Sequence, residues 1–449
     1  MKKQKVNLLL IVSLLLSANG INAQEAALSF TLQEAQEYAV KNSYQAKLAQ
    51  KDVEKSERKV KETISTGLPQ INGAVNYQQY VETPVQLIPA AAFGGPEGEY
   101  EEVFFGTEQQ MGASITANQL IFNGSYFVGL QAAKVYLELS KNDQAASEIE
   151  IRNMVTQAYG NVLVAEKNAE ILKKNKENLD KIYFETGELY SNGFVEEQDK
   201  EQIEFLLANT SNAYEQAIRQ IDVSRNQLKF ILGISIENTI ELKDNLMALT
   251  TLSKSSEFVS KEFDINSHID YKSVLTQERA SQLLWKQQKS NYLPSLNAFY
   301  TYQQNSFANE FNFFSSDAKW FGSQLVGINL SVPIFSSFNK HHKVQQAKID
   351  FEKVQIAKEQ VAQQLQIQAE NAKSQYLFAF HQYETMNKNL GLAERIYDKV
   401  KAKYDEGINS SLELTQANNQ LLETQGNYIN ASFQLINAKV NLDKALNNY

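Results

Sequence analysis

The 449-residue sequence contains no cysteine, and only six of its residues are proline. Without cysteine the chain cannot form disulfides, perform thiolate chemistry or carry a lipid on an N-terminal cysteine, so we expect it not to be lipidated. No apolar run approaches the roughly 20 residues that a membrane-spanning helix needs. The four histidines have no metal-ligand spacing, and no catalytic constellation is present. We therefore expect neither a metal, nor a cofactor, nor an enzymatic activity.

The charge and the N-terminus indicate where the chain acts. The formal net charge is −9, and an acidic chain binds nucleic acid poorly because that binding depends on neutralising phosphates. A basic start at Lys2–Lys5, an apolar core at Leu8–Leu16 and small residues before Gln24 have the layout of a secretory signal peptide. An uncleaved anchor is the alternative. We expect residues 1–23 to be removed on export and no nucleic-acid partner.

One architectural pattern occurs twice, 214 residues apart. Each copy runs in the order alternating strand, loop, alternating strand, long heptad helix, glycine tip and returning helix. The tips read Tyr190-Ser191-Asn192-Gly193 and Tyr404-Asp405-Glu406-Gly407. Seam residues spaced four and three apart lead to the second tip: Leu365, Ala369, Ala372, Tyr376, Ala379, Tyr383, Met386, Leu390, Ala393, Tyr397, Val400 and Tyr404. Subtracting 214 from each of these positions gives the corresponding seam in the first copy, in which Lys176 and Thr186 are the two polar residues. This 3.5-residue period predicts coiled-coil packing and a duplicated fold.

Four segments instead alternate with a period of two, near residues 71–80, 111–122, 296–303 and 326–332. Their length of about ten residues suits a tilted strand that crosses the hydrocarbon layer of a membrane. A half-buried soluble sheet is the alternative for any one of them. Only helices and closed barrels satisfy every backbone group in lipid, and single-chain barrels need about eight strands or more. We therefore expect copies of the chain to pool their strands.

The helices predicted between and after these strands are very long. Residues 125–192 and 339–406 would each extend about 100 Å at a rise of 1.5 Å per residue. Returning helices are expected at 196–232 and 410–447, and a helix at 31–63 should begin with Thr31 and Glu34 in a capping box. The expected division is a signal peptide at 1–23, a first repeat at 24–232, a connecting segment at 233–267 and a second repeat at 268–449.

Two loops differ in composition from the helices. Residues 81–110 contain six glutamates and no basic residue, whereas residues 305–322 contain six aromatic side chains. Outer-membrane barrels usually have long loops on the outside. The aromatic loop could lie at the lipid interface or close the mouth of a channel, and the sequence leaves both open.

The order and duplication of these motifs resemble the TolC-like outer-membrane efflux and secretion channels. The resemblance is carried by Leu68-Pro69 and Leu293-Pro294, the Ile-Phe junctions at 121–122 and 334–335, and the two glycine tips. It implies a mainly α protein with membrane β structure: a homotrimer with a 12-stranded β-barrel continued by a periplasmic α-helical barrel. It also implies outer-membrane lipid, a periplasmic adaptor (membrane fusion) protein and an inner-membrane pump of the RND or ABC type as partners. The implied function is the passive exit duct of a tripartite efflux or type I secretion system.

The resemblance also implies a gate at the helix tips, formed by Gly193, Asp199, Tyr404, Gly407 and Glu413. Asp199 and Tyr404 match the positions of an inter-helix latch, and Glu413 matches an acidic ring. Asn409 stands where the family pattern has arginine, and Gln416 stands where it has a second acid, so a weaker latch and a weaker cation preference are expected.

The residues themselves leave plainer roles open. Asp199 could complement the N-terminal end of its helix, Glu413 could form a capping box with Ser410, and Tyr404 could simply pack on the heptad seam. A soluble periplasmic coiled-coil scaffold or adaptor, with its strands in a globular sandwich, is the alternative function. The transported substrate is not encoded in any motif.

Overall fold

The computed structural model describes residues 28–104, 106–254 and 262–448. The predicted signal peptide lies outside these residues. The described chain is mainly helical, and its helices of 36 to 68 residues dominate it. The order of strand, strand, long helix and returning helix occurs twice, as the internal repeat predicts. No helix in the described ranges combines the length and apolarity that crossing a membrane requires.

The long helices begin and end within a residue of the predicted positions. The helices are α1 (Leu32–Asn42), α2 (Tyr44–Ser65), α3 (Gly124–Ser191), α4 (Glu197–Leu232), α5 (Leu246–Leu252), α6 (Ile269–Ser290), α7 (Asn339–Asp405) and α8 (Ser411–Leu446). The strands are β1 (Leu28–Phe30), β2 (Gln70–Gln79), β3 (Val85–Pro89), β4 (Tyr100–Phe104), β5 (Gln109–Asn123), β6 (Ile240–Leu242), β7 (Ser295–Ala308) and β8 (Trp320–Ser331).

The single helix predicted at 31–63 is two helices, which meet at Ser43. The predicted capping box is present: the Thr31 N–H donates to the Glu34 carboxylate at 2.8 Å, and the Glu34 N–H donates to the Thr31 hydroxyl at 3.2 Å. Ser43 has extended backbone angles that end α1, and its hydroxyl accepts the Ala46 N–H at 3.2 Å to start α2. The prediction of one helix was wrong because serine can cap a helix without a glycine or proline to mark the break.

The four long strands form one antiparallel sheet in the order β2-β5-β7-β8. The pairing of β5 with β7 joins the two repeats, and β2 and β8 are the two edges. Alternation gives the sheet two distinct faces. The polar face carries Asn72, Asn76, Ser114, Thr116, Thr301, Gln303, Asn305, Ser323 and Asn329. The apolar face carries Ile71, Val75, Ile115, Ala117, Tyr300, Tyr302, Val326, Ile328 and Leu330.

The loops beyond these strands are more structured than predicted. Part of the acidic loop forms the hairpin of β3 and β4, and β7 and β8 extend into the aromatic segment. Phe311 and Phe313 place their rings 5.6 and 6.0 Å from Tyr77, which projects from the apolar face. Phe313 is buried. Phe311 and Phe313 therefore pack against the sheet, and a position of the aromatic loop at the lipid interface or at a channel mouth stays a prediction.

The described residues divide into two compact units. Unit 2 comprises Lys51–Asp143 and Asp270–Ala362 and contains the four-stranded sheet. Unit 1 comprises the chain up to Gln50, Gln144–Ile269 and the chain from Gln363 onward. The heptad seam is buried in unit 1: Leu365, Ala369, Ala372, Tyr376, Ala379, Tyr383, Ala393 and Tyr397. Lys176, a polar exception of the first seam, forms an ion pair with Asp180 at 2.8 Å.

A buried polar network holds the connecting segment to α1 and α3. Strand β6 pairs in parallel with β1, and Asp244 lies two residues after the end of β6. The Asp244 carboxylate accepts the Leu32 N–H at 2.7 Å and lies 3.0 Å from the hydroxyl of Tyr159. That hydroxyl also lies 2.9 Å from the Phe30 carbonyl oxygen. Burial raises the pKa of Tyr159, so its hydroxyl stays protonated and remains a donor.

We predict that Asp244→Ala lowers the free energy of unfolding by about 2 kcal/mol, because the Leu32 N–H loses its acceptor and the buried Tyr159 hydroxyl keeps only the Phe30 carbonyl. The measurement is denaturant or thermal unfolding of the detergent-purified protein. The matched control is Lys243→Ala, which breaks only the exposed Lys243–Glu34 ion pair at 2.9 Å. Such a surface pair contributes at most about 1 kcal/mol. Equal losses in the two variants would contradict the assignment.

Candidate gate at the helix tips

The two tips are tight reversals between antiparallel helices, centred on Gly193 and Gly407. Their φ angles are +76° and +73°, in the left-handed region that favours glycine. The Phe194 N–H donates to the Leu189 carbonyl at 2.9 Å, and the Ile408 N–H donates to the Lys403 carbonyl at 2.8 Å. A Cβ added at either glycine would meet no atom within 4 Å, so the requirement is conformational rather than steric. The predicted need for positive φ at both tips is confirmed.

Tyr404 links the last turns of α7 and α3. Its hydroxyl lies 2.7 Å from the hydroxyl of Thr186, which is completely buried. Burial raises the pKa of Tyr404, the bond to Thr186 opposes that rise, and the negative charge of Asp199 adds to it. Tyr404 is therefore a neutral hydrogen-bonding group in the seam at ordinary pH.

Asp199 links the first turns of α4 and α8. One carboxylate oxygen accepts the hydroxyl of Ser411, a buried residue, and the other accepts the Glu196 N–H at 3.3 Å. The Ser411 hydroxyl oxygen also lies 2.9 Å from Oε1 of Gln202. Asp199 and Tyr404 thus bond to different partners on different helices. The structure contains two separate tip contacts, one between α3 and α7 and one between α4 and α8, where the sequence suggested one latch.

Glu413 occupies the position in the second repeat that Asp199 occupies in the first. It forms a full capping box: the Ser410 N–H donates to its carboxylate at 2.9 Å, and its own N–H donates to the Ser410 hydroxyl at 3.3 Å. The helix-capping role that the sequence left open is therefore present, and a pore-lining role stays a prediction. Asn409 donates its N–H to the Lys403 carbonyl at 3.3 Å, and Gln416 is exposed.

Three residues near the tips were not selected from the sequence. Thr186 and Ser411 are the partners of Tyr404 and Asp199, and the one available signal was that Thr186 interrupts an apolar seam. The third, Tyr397, is buried in the apolar cluster nearest the tips: Leu179, Ile182, Ile203, Leu206, Ala393, Tyr397, Leu414, Ala417 and Leu421. Its hydroxyl has no hydrogen-bond partner among the described residues. Burial raises the pKa of Tyr397 to about 12.

No group of three or more histidine, aspartate or glutamate residues in the described part of the chain could hold a metal ion. The tip residues are hydrogen-bonding and capping groups that hold helix ends together. What this arrangement can do is mechanical: breaking the two contacts would free the helix tips to separate.

The sequence pattern described as outer membrane efflux protein matches residues 35–234 and 271–448. The chain belongs to this family. Each matched segment contains one strand pair and one helical hairpin, so the outer membrane efflux protein pattern includes both repeats and both tips. A comparison with curated protein sequences found no match.

Solved structures share the fold at low sequence identity. The channel CusC matches with a TM-score of 0.70 at 15% identity, over 92% of this chain and 91% of CusC. The outer membrane channel CmeC of Campylobacter jejuni matches with a TM-score of 0.68 at 20% identity, over 92% and 85% of the two chains. The outer membrane protein VceC of Vibrio cholerae has a TM-score of 0.68 at 14% identity, over 92% and 95%. The family fold therefore extends over nearly the whole chain.

We predict that Tyr397→Phe flattens the alkaline loss of stability. In the unfolded chain tyrosine ionises near pH 10, at about its model-peptide pKa, whereas the folded pKa is about 12. The folded state then binds more protons than the unfolded state, so stability is complete below pH 10 and falls as the pH rises towards 12. Over that interval the wild type should lose about 2 to 3 kcal/mol more than the variant. Unfolding curves at pH 7, 10 and 12 measure this, and parallel pH dependence would contradict it.

Proposed function

We propose that three copies of this chain form an outer-membrane channel, with a 12-stranded β-barrel continued by a periplasmic α-helical barrel. The channel serves as the passive exit duct of a tripartite efflux or type I secretion system. The observation that carries the proposal is the open sheet, whose edge strands β2 and β8 have no partner on their outer sides within the described chain. Membership of the outer membrane efflux protein family supports the same conclusion.

An open edge is costly in lipid because unpaired backbone groups have no water to bond to. Four strands are too few to close a barrel alone, whereas three copies supply twelve. Pairing β8 of one copy with β2 of the next would satisfy every edge. The cylinder would then present the apolar face to lipid and the polar face to the lumen.

The exposure of the apolar face argues against the soluble scaffold. A globular sandwich would bury that face against another layer. Val75, Val326 and Ile328 are instead 72%, 78% and 73% exposed. Leaving such side chains in water forfeits about 1.5 to 3 kcal/mol each, whereas lipid would cover them. The scaffold alternative is therefore not favoured.

The proposed partners follow from the family and from the tips. A periplasmic adaptor (membrane fusion) protein and an inner-membrane pump of the RND or ABC type would supply contact and energy. Phe194 and Ile408, each directly after a tip glycine, are 77% and 67% exposed and offer an adaptor apolar contacts. We retain the division into repeats at 24–232 and 268–449, joined by 233–267, as part of this proposal.

We predict disulfide cross-linking between copies along the edge strands. Ala74→Cys on β2 is combined in turn with Ser323→Cys, Leu325→Cys and Gly327→Cys on β8, all on the polar face. Within one copy, two strands separate these positions, which amounts to roughly 14 Å, so a disulfide must join different copies. The native chain has no cysteine to interfere.

At least one pair should give covalent dimers and trimers on non-reducing gels of the detergent-extracted protein. The matched control replaces Ala74→Cys by Ser114→Cys on the central strand β5, and it should give no cross-link. Extraction of the wild-type protein in plain buffer as an uncrosslinked monomer would refute the trimer and favour the scaffold.

We predict that Tyr404→Phe combined with Asp199→Ala raises the conductance of reconstituted channels, because it removes the Tyr404–Thr186 bond between α7 and α3 and leaves Gln202 as the one remaining partner of Ser411 between α4 and α8. Each single variant should give a smaller increase, since one contact would remain. Lys176→Ala is the control, because it breaks only a helix-surface ion pair with Asp180. Unchanged conductance of intact trimers carrying both substitutions would assign Tyr404 and Asp199 to packing alone.

A further inference from the structure

The four strands of the sheet contain no charged residue. Strands β2, β5, β7 and β8, of 10, 15, 14 and 12 residues, have no aspartate, glutamate, lysine, arginine or histidine. Charged residues make up 21% of the whole chain. The acidic loop 81–110 and helix α2 are strongly charged, whereas the strand-to-helix junctions 124–133 and 332–339 carry no charge. The neutral part of the chain therefore comprises the sheet and the junctions that follow β5 and β8.

Contact with lipid would explain the absence of charge on the apolar face, but not on the polar face. On the apolar face a lysine or arginine at the bilayer midplane would cost about 2 to 4 kcal/mol, so charge is excluded there. No such cost applies to the polar face, because its amide and hydroxyl side chains already require water or polar partners. Folding and insertion would tolerate charge on that face, yet it has none.

The polar face has a depression of about 230 Å³, which is lined mainly by polar-face residues: Asn76, Gln78, Gln110, Ser114, Gln303 and Asn305. The hydroxyls of Thr116 and Thr301, 3.0 Å apart across β5 and β7, lie in the same face. In the proposed barrel this face lines the lumen.

We infer that the strand section of the duct is an electrically neutral wall, built of amides and hydroxyls with a few apolar side chains such as Phe299 and Leu325, which does not sort solutes by charge. This inference rests on the proposed channel function. Amides and hydroxyls both donate and accept hydrogen bonds, so the wall can hydrate or contact neutral, anionic and cationic polar solutes alike. Any preference for one sign must then arise outside the strands, for example at the acidic loop 81–110, on the charged long helices or at the carboxylates of Asp199 and Glu413.

The inference can be tested with charge substitutions, because in the proposed trimer one substituted residue places three charges in the lumen. A ring of three like charges in a confined aqueous lumen, within about a Debye length of 8 to 10 Å at 0.1 to 0.15 M salt, gives a potential that ions in transit must cross. A neutral wall has no opposing charge to cancel such a ring. Added positive and negative rings should therefore act with similar strength and opposite sign.

The test uses the full-length protein in planar bilayers under a KCl gradient, with Ser114 as the polar-face position. Ser114→Lys should shift the K⁺/Cl⁻ permeability ratio several-fold towards chloride, and Ser114→Asp should shift it towards potassium by a similar factor. Ser114→Gln, a neutral control, should keep the wild-type ratio. Ile115→Lys, the adjacent position on the apolar face, should reduce the yield of inserted trimers.

The possible results distinguish a failure of the neutral-wall inference from a failure of the proposed channel function. Trimers that conduct but respond strongly to only one sign of added charge would overturn the neutral wall and leave the channel intact. A shift with Ile115→Lys and none with Ser114→Lys would overturn the assignment of faces. Absence of trimers or of conductance in the wild type would overturn the proposed function itself, and the inference with it.

Discussion

The structure depends on one constraint: every backbone N–H and C=O of a strand needs a partner, and lipid supplies none. The sheet β2-β5-β7-β8 satisfies its inner strands and leaves two edges open. The internal duplication of the chain does not remove the open edges. The pairing of β5 with β7 joins the two repeats into one sheet but does not close that sheet. The register of the same strands fixes which residues share a face, since a shift of one residue would exchange the two faces.

At the helix tips the constraint is different, because polar groups lie inside an apolar seam. Thr186 and Ser411 are buried, and their partners come from neighbouring helices: Tyr404 for Thr186, and Asp199 and Gln202 for Ser411. A buried hydroxyl without a partner costs about 1 to 3 kcal/mol, so each contact specifies one arrangement of the helix ends. In the proposed channel, opening the tips would require breaking these bonds.

Much of the fold could be predicted from the sequence, because it is encoded in periodicities that extend over many residues. The 3.5-residue seam gave the long helices to within a residue, and the glycine tips required positive φ. The helix break at Ser43 was not predicted, because the serine caps the second helix without a nearby glycine or proline that would mark the break. The partners of Tyr404 and Asp199 escaped for a different reason: they lie more than 200 residues away in sequence, and only the packing of four helices brings them together.

Charged residues are common on the long helices and absent from the four strands of the sheet. The long helices carry ion pairs on their surfaces, such as Lys176 with Asp180, where water screens them. Strands β2, β5, β7 and β8 carry no charge on either face. In the proposed channel, a strand section without charge would not control which solutes pass. That control would lie at the helix tips, where hydrogen bonds decide whether the channel is open. In that arrangement discrimination between cargoes falls to whichever partner opens the tips.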